Sequence, residues 1–451
     1  MTPRRRRPSA RLLALTLSTV GAVALSGLGA SPAHAAPAPV TGSITSPASV
    51  PGSHTYTVQA WTLAGDVAEA KLVASTVTTL ASGATGGYTL PALPDGSYVV
   101  RVLETPPQGG VPTVGDSFWQ DTDWVGSSTR VDVAGTTVTG IDFTPDPYFF
   151  STARVEGSDR YATSVASTQA FEPGVPVLYI ASGAGWADAL SAAPAASVQD
   201  GALLLTDPDA LFASTSAEIT RLAPEKTVVV GSDATVSAAV YRQIDALVAG
   251  PITRIGGTDR YDTSRRIVAD AFGAGSADEL FLATGGNFPD ALSVAPVAGR
   301  RDQAVLLVDG AEPDIDDATR SAITRLDPES AVILGQAPSV SAGIEADVDA
   351  LVGDTTRIGG ASRYATSRLI NEAYPAQGLT ATTYLASGEG AADALSGAAV
   401  AAAQGAPLSL ARPDCVPAET IDSLKRQHLD TAVVLGSELT LSIGVTRFTA
   451  C

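Results

Sequence analysis

The sequence predicts three tandem α/β modules with parallel sheets behind an N-terminal all-β domain. Three observations predict it. A short charged block returns twice at nearly constant spacing. Each copy alternates continuous apolar runs with segments of helical period. The stretch before the first copy instead shows period-two alternation and no long helical pattern.

The first element is a leader. Arg4 to Arg7 and Arg11 form a basic region, residues 12–28 are apolar, and Ala33-His34-Ala35 offers the small residues that a signal peptidase reads. Residues 1–35 are therefore expected to be a signal peptide, cleaved after Ala35 or close by. The arginine run also raises twin-arginine export, which Pro8-Ser9-Ala10 fits poorly. No later segment is long and apolar enough to span a membrane. The mature chain is expected to be secreted, or held at the cell surface by something other than lipid.

Residues 36–147 read as a β-sandwich. Thr55-Tyr-Thr-Val-Gln-Ala-Trp61 alternates, residues 86–102 are two strands around a Pro-Asp-Gly turn, and residues 138–143 look like the closing strand. Trp61, Trp119 and Trp124 fall here and are expected in the core or at its rim. Residues 145–150 read as a linker.

The repeats follow, over residues 148–253, 254–356 and 357–451. Arg154-Val-Glu-Gly-Ser-Asp-Arg-Tyr161 returns as Arg254-Ile-Gly-Gly-Thr-Asp-Arg-Tyr261 and as Arg357-Ile-Gly-Gly-Ala-Ser-Arg-Tyr364. A second block, Ala181-Ser-Gly-Ala-Gly-Trp-Ala-Asp-Ala-Leu190, recurs at Ala283 and at Ala386. Apolar strands at 202–205, 304–307 and 407–410 keep the register, as do strands ending at Gly231, Gly335 and Gly436. A period near one hundred residues means tandem domains, not a solenoid of small units. In the first copy, strands are expected at 177–181, 202–206, 227–230 and 252–255, and helices at 188–197, 215–222 and 237–248. Strands apolar on both faces alternating with helices imply a Rossmann- or flavodoxin-like sheet, with ligands beyond its carboxyl edge. Three similar copies make a pseudo-threefold arrangement plausible.

This set of blocks resembles three tandem cell wall binding repeat 2 domains, covering about two-thirds of the chain. The resemblance implies noncovalent attachment to anionic secondary wall polymers. It also implies polymer contact at a Pro-Ile-Leu-Leu strand. Here Pro407 and Leu408 occupy that place, while Ala202 and Ala304 stand where the other copies would carry the Pro. The G-x-Y-x-L-x-x-L-P-x-G-x-Y-x-V pattern of the β domain is similar to carboxypeptidase regulatory-like, prealbumin-like modules, which are noncatalytic.

The repeated polar residues are the candidate contacts: Arg154, Arg160, Tyr161, Arg254, Arg260, Tyr261, Arg357, Arg363 and Tyr364. A guanidinium forks onto carboxylate or phosphate, and Tyr stacks or donates. The competing reading is structural, with Asp159, Asp259 and Ser362 capping the helix that follows. Asp188, Asp290 and Asp393 are read as helix N-caps rather than catalytic acids, because each lies at a loop-to-helix junction. The two cysteines, Cys415 and Cys451, form an isolated pair that in an exported chain reads as one disulfide. No cofactor or metal site is assigned. A bridging divalent cation stays open, although no Ca-loop spacing is present.

Charge narrows the partners. The whole chain carries 28 basic and 47 acidic residues, a net −19. Without the leader's five arginines the balance is −24, and the repeats alone hold −17. A nucleic-acid partner is not expected. Binding of an acidic polymer must then use local arginine clusters. No G-x-S-x-G or H-E-x-x-H occurs, and His54 and His428 lie in different domains at unrepeated positions. The expected function is that of a noncatalytic wall-anchored surface protein. Two other readings stay open: a peptidoglycan-modifying hydrolase, and a secreted adhesion or carbohydrate-binding protein that recognises through its β domain.

Overall fold

The computed structural model describes residues 36–451, apart from 64–66, 68–69, 107–109 and 121–127. The expected signal peptide and Trp124 lie outside the described residues.

Alternation builds the first domain. In β2 (Ser53–Thr62) every second residue from His54 to Ala60 is buried. It pairs antiparallel with β3 (Lys71–Ala81) and with β5 (Gly96–Glu104). Short β6 (Ser117–Phe118) and β7 (Val131–Val133) extend from β5. The second sheet pairs β1 (Ala38–Thr45) with β4 (Thr85–Leu93). Residues 138–143 run parallel along β1, with Thr41 N donating to Val138 O at 2.8 Å and Phe143 N to Ser43 O at 2.9 Å. The Pro94-Asp95 turn between β4 and β5 does not close a hairpin. It carries the chain from one sheet to the other, and Val40, Ile44, Tyr56, Leu90, Val100 and Phe143 fill the space between.

The modules follow the expected alternation. The first contains α1 (Arg160–Thr168), β9 (Val177–Ser182), α2 (Ala187–Leu190), α3 (Ala192–Ser197), β10 (Ala202–Thr206), α4 (Ala213–Leu222), β11 (Lys226–Val230), α5 (Ala238–Asp245) and β12 (Ile252–Ile255). Its sheet is parallel in the order β10-β9-β11-β12, and all six residues of β9 are buried. The second contains α6 (Arg260–Ala271), β13 (Glu279–Thr284), α7 (Pro289–Arg300), β14 (Ala304–Val308), α8 (Asp317–Leu326), β15 (Ser330–Leu334), α9 (Ala342–Val352) and β16 (Thr355–Ile358), ordered β14-β13-β15-β16. The third contains α10 (Arg363–Ala373), β17 (Thr382–Ser387), α11 (Ala392–Ala403), β18 (Leu408–Ala411), α12 (Ala418–Arg426), β19 (Thr431–Leu435) and α13 (Ile443–Thr446).

The third module lacks a fourth strand of its own. β8 (Ser151–Val155), which precedes α1, supplies it, pairing parallel with β19 from Ser151 opposite Thr431 to Val155 opposite Leu435. The strand carrying the first arginine of each signature therefore completes the preceding sheet, and the set closes on itself.

The three modules share one core. Helices α3, α7 and α11 each pack against the other two, and their alanines join strand residues of all three sheets in a single apolar cluster. Small side chains let these helices approach closely. A β-carbon on Gly299 would lie 2.5 Å from Cβ of Ser197 and 2.9 Å from Cβ of Ala402. Much of the Ala-Gly richness has this cause.

The β-sandwich sits on the third module. Leu379 packs with Val99 and Phe118, and its N–H donates to Val67 O at 3.0 Å. The expected linker is instead part of this contact. Tyr148 N donates to Thr113 O at 3.0 Å, and Phe150 stacks on Phe448 with ring centroids 3.7 Å apart. Cys415 and Cys451 are disulfide-bonded, with Cα atoms 5.8 Å apart.

Candidate functional site at the module junctions

The repeated residues gather at the carboxyl edges of the three sheets, where their polar atoms are largely engaged within the protein. Arg154, Arg254 and Arg357 point from β8, β12 and β16 at the turn that follows the neighbouring strand. Their Nη1 atoms donate to Gly436 O at 2.6 Å, Gly231 O at 3.0 Å and Gly335 O at 2.8 Å. Those glycines have φ of +93°, +96° and +90°, a region that other residues rarely adopt. Arg154 also reaches Leu441 O, Arg254 covers the Tyr241 ring, and Arg357 pairs with Glu345 at 2.8 Å. These three arginines fasten sheet edges.

Arg160, Arg260 and Arg363 open α1, α6 and α10. Asp159, Asp259 and Ser362 cap those helices, each accepting from backbone N–H groups of the first turn. Nη1 of each arginine donates to Gly183 O at 2.7 Å, Gly285 O at 2.7 Å and Gly388 O respectively. The tyrosine rings pack closely against the same glycines. A β-carbon on Gly285 or Gly388 would stand 2.5 Å from a ring carbon of Tyr261 or Tyr364, and Gly183 meets Tyr161 likewise. Tyr161 Oη donates to Asp207 at 3.2 Å, whereas in the third copy Arg412 occupies the matching position and lies 4.9 Å over the Tyr364 ring.

At two junctions an aromatic ring from the preceding module completes the arrangement. The guanidinium of Arg260 lies 5.2 Å from the Trp186 ring and that of Arg363 lies 5.9 Å from the Phe288 ring. Trp186 and Phe288 are themselves 6.1 Å apart. The result is a run of cation, ring, ring and cation across three modules. Ala391 holds the third aromatic position, and Arg160 there is exposed.

Asp188, Asp290 and Asp393 do not cap. The N-cap positions of α2, α7 and α11 are Trp186, Phe288 and Ala391, none with a side-chain cap bond. Each aspartate sits in the first turn and reaches sideways to the glycine turn after the third strand. Asp393 Oδ2 accepts from Thr440 Oγ1 at 3.1 Å. Burial raises Asp290 to about 6, with Arg363 pulling the other way. Burial also raises Asp188, against hydrogen bonds from Thr263 and Thr235 and the charge of Arg260.

Pro407 and Leu408 need correction as contact residues. Leu408 opens β18 with no exposed surface, and Pro407 is buried beside it. Their carbonyls bind Tyr384 N and Asn371 Nδ2. An apolar strand covered on both faces offers nothing to a polymer.

Two repeated features escaped sequence reasoning. Thr163, Thr263 and Thr366 accept from the backbone of Gly157, Gly257 and Gly360 at 3.0 to 3.1 Å. Ser164, Ser264 and Ser367 accept from Leu205, Leu307 and Leu410 N. Each Thr-Ser pair follows its Arg-Tyr in the same register, so the signal was present. Among the described residues, no group of three or more His, Cys, Asp or Glu side chains is placed to hold a metal ion. No described helix is long and apolar enough to cross a membrane.

The family model of cell wall binding domain 2 matches residues 154–241, 254–345 and 357–446, more than half of the chain. The chain belongs to the cell wall binding domain 2 family. Two curated proteins of Bacillus subtilis are similar to it. The N-acetylmuramoyl-L-alanine amidase LytC is 29% identical over 295 residues, 65% of this chain and 57% of LytC. The amidase enhancer is 26% identical over 296 residues, 65% of this chain and 39% of that protein. This family member thus spans little more than half of one relative and less than half of the other. Among solved structures, Cwp6 from Clostridium difficile aligns with 91% of this chain and 67% of its own, at 18% identity and a TM-score of 0.59. Cwp8 from the same organism aligns with 65% and 50%, at 21% identity and the same score. These likenesses agree on the fold: three parallel-sheet α/β modules with antiparallel β-sheets before them.

Proposed function

We propose that the protein is exported and held at the cell surface by noncovalent binding of its three modules to an anionic wall polymer, with the β-sandwich displayed as a noncatalytic module. The observation that carries the binding reading is the junction pairing of Arg260 with Trp186 and Arg363 with Phe288. It concentrates positive charge, beside the partly exposed ring of Trp186, on a chain of net charge −19, with the buried Phe288 ring backing Arg363. Sugar rings pack on such surface, and anionic groups are drawn to the arginines. Junctions acting together gain avidity from individually weak sites. A divalent cation is an alternative bridge between acidic modules and acidic polymer.

The test is a pull-down of the protein with purified walls, before and after stripping of secondary polymers. Retention on stripped walls overturns the mechanism. The hydrolase reading draws on one observation, the Asp290 carboxyl raised to about 6, since perturbed carboxyls often mark catalytic sites. Clearing of a wall suspension by the pure protein would establish that reading instead.

A further inference from the structure

Where α12 ends against the β-sandwich, β2, β5, described residues of the chain that follows β5, and the C-terminal end of that helix with His428 just beyond it line an open cleft of about 510 Å³. Arg101, Arg426 and His428 line it with Thr57, Gln59 and Thr105, and no carboxylate belongs to its described lining. That absence is notable in a chain with 47 acidic and 28 basic residues.

Arg101 and His428 are held in place from behind. Asp116 is buried under the cleft, accepts from His428 Nδ1 at 2.7 Å and lies 3.4 Å from Arg101 Nη1. Burial alone would raise its carboxyl, but His428 and Arg101 hold it below the ordinary value. Arg101 Nη2 donates to Gln59 Oε1 at 3.1 Å, and Trp61 Nε1 donates to the same oxygen at 3.0 Å. The Gln59 amide is thereby oriented with its NH2 as the remaining polar end. Arg101 Nε is buried with no acceptor among the described residues, and Arg101 as a whole is 8% exposed. Arg426 is half-exposed at the rim, 3.1 Å from Glu372. His428 adopts a left-handed conformation, φ 56°, where the other copies carry Ala223 and Asp327. Only in the third copy does this position bring an imidazole to the β-sandwich.

We propose that this cleft binds an anionic sugar unit, its charged group held by Arg101 and Arg426 and its hydroxyls by Gln59, Thr57, Thr105 and His428. Forked guanidinium donors match carboxylate and phosphate oxygens alike. The volume suits one or two sugar rings. Neither the site nor its ligand follows from the repeats, because the cleft needs the β-sandwich.

The test titrates the full-length protein with glucuronate, glucose 6-phosphate and uncharged glucose, followed by calorimetry and by the ring resonances of His428. Saturable binding is expected for glucuronate, glucose 6-phosphate or both, which also tells a uronate from a phosphate ligand, and none for glucose. Arg426→Gln, at an exposed rim position, should weaken binding about tenfold. Thr57→Glu should abolish it by placing a carboxylate in the cleft. Arg266→Gln, at an exposed position of α6, should leave it unchanged. No saturation with either anion overturns the proposal. So do equal affinity for glucose, indifference to both cleft variants, and a loss in Arg266→Gln alone.

Discussion

Arg260, the first residue of α6 in the second module, lies over the indole of Trp186, which belongs to the loop after the first strand of the first module, at 5.2 Å from the ring. One side chain thus touches two modules, since its Nη1 also binds Gly285 O. The contact joins neighbouring modules and supplies the surface proposed for polymer binding.

Trp186→Ala is therefore expected to weaken both stability and wall retention. A cation over an aromatic face contributes on the order of 1 kcal/mol when partly exposed, and lost ring burial adds to it. Thermal denaturation should show a modest decrease, and a co-sedimentation isotherm with purified walls a several-fold loss of affinity. Unchanged wall binding by a folded variant would remove this junction from the binding surface.

Asp290 sets a pH dependence. Its carboxyl titrates at about 6 in the folded protein, against 3.8 as the ordinary value. The folded state holds the proton more tightly than the unfolded chain. Stability from this group is thus full below about pH 3.8 and falls as pH rises towards 6. Two units correspond to about 3 kcal/mol at neutral pH. Asp290→Asn should stabilise the protein at pH 7 by up to that amount and flatten the slope between pH 4 and 6. Denaturant titrations across that range check it.

Gly335→Ala tests the turns that receive the strand arginines. With φ at +90° the backbone is strained for alanine, and the new Cβ would lie 2.6 Å from Asp290 Oδ2 and 2.8 Å from Ser339 Cβ. A loss of about 2 kcal/mol or more is expected. Gly273→Ala has open space around its Cβ and should be neutral or slightly stabilising. Chemical denaturation of the pair gives the comparison.

The Cys415–Cys451 bond closes a loop with a sequence separation of 36. In the chain-entropy description it contributes about 4 kcal/mol. Reduction, or the double Cys→Ser variant, should lower the melting temperature and raise protease sensitivity near the C-terminus. Wall binding at low temperature should persist, because neither cysteine lies at a junction.

The module fold was legible because its signals are local. Continuous apolar strands such as 202–206 and the Gly-bounded turns appear where expected. The Asp159, Asp259 and Ser362 caps also follow from short-range chemistry. What escaped depends on distant chain. The sideways reach of Asp290 is decided by a turn some 45 residues away in sequence. The Trp186–Phe288 pair is hidden because Ala391 breaks the repeat. Residues 145–150 read as a linker because nothing local shows that Phe448 waits to stack on Phe150. The burial of Pro407 and Leu408 follows from β18 lying within a covered sheet.

The pairing of β8 with β19 joins segments 280 residues apart. During synthesis β8 is made before any of the three modules and stays unmatched until β19 of the last one has emerged. A chain stopped short leaves that first strand without its partner. Repeats therefore cannot be added or deleted one at a time without changing the angle at which the circle closes. Copy number is a geometric property of the closed set, and chain completeness is a condition for its folding.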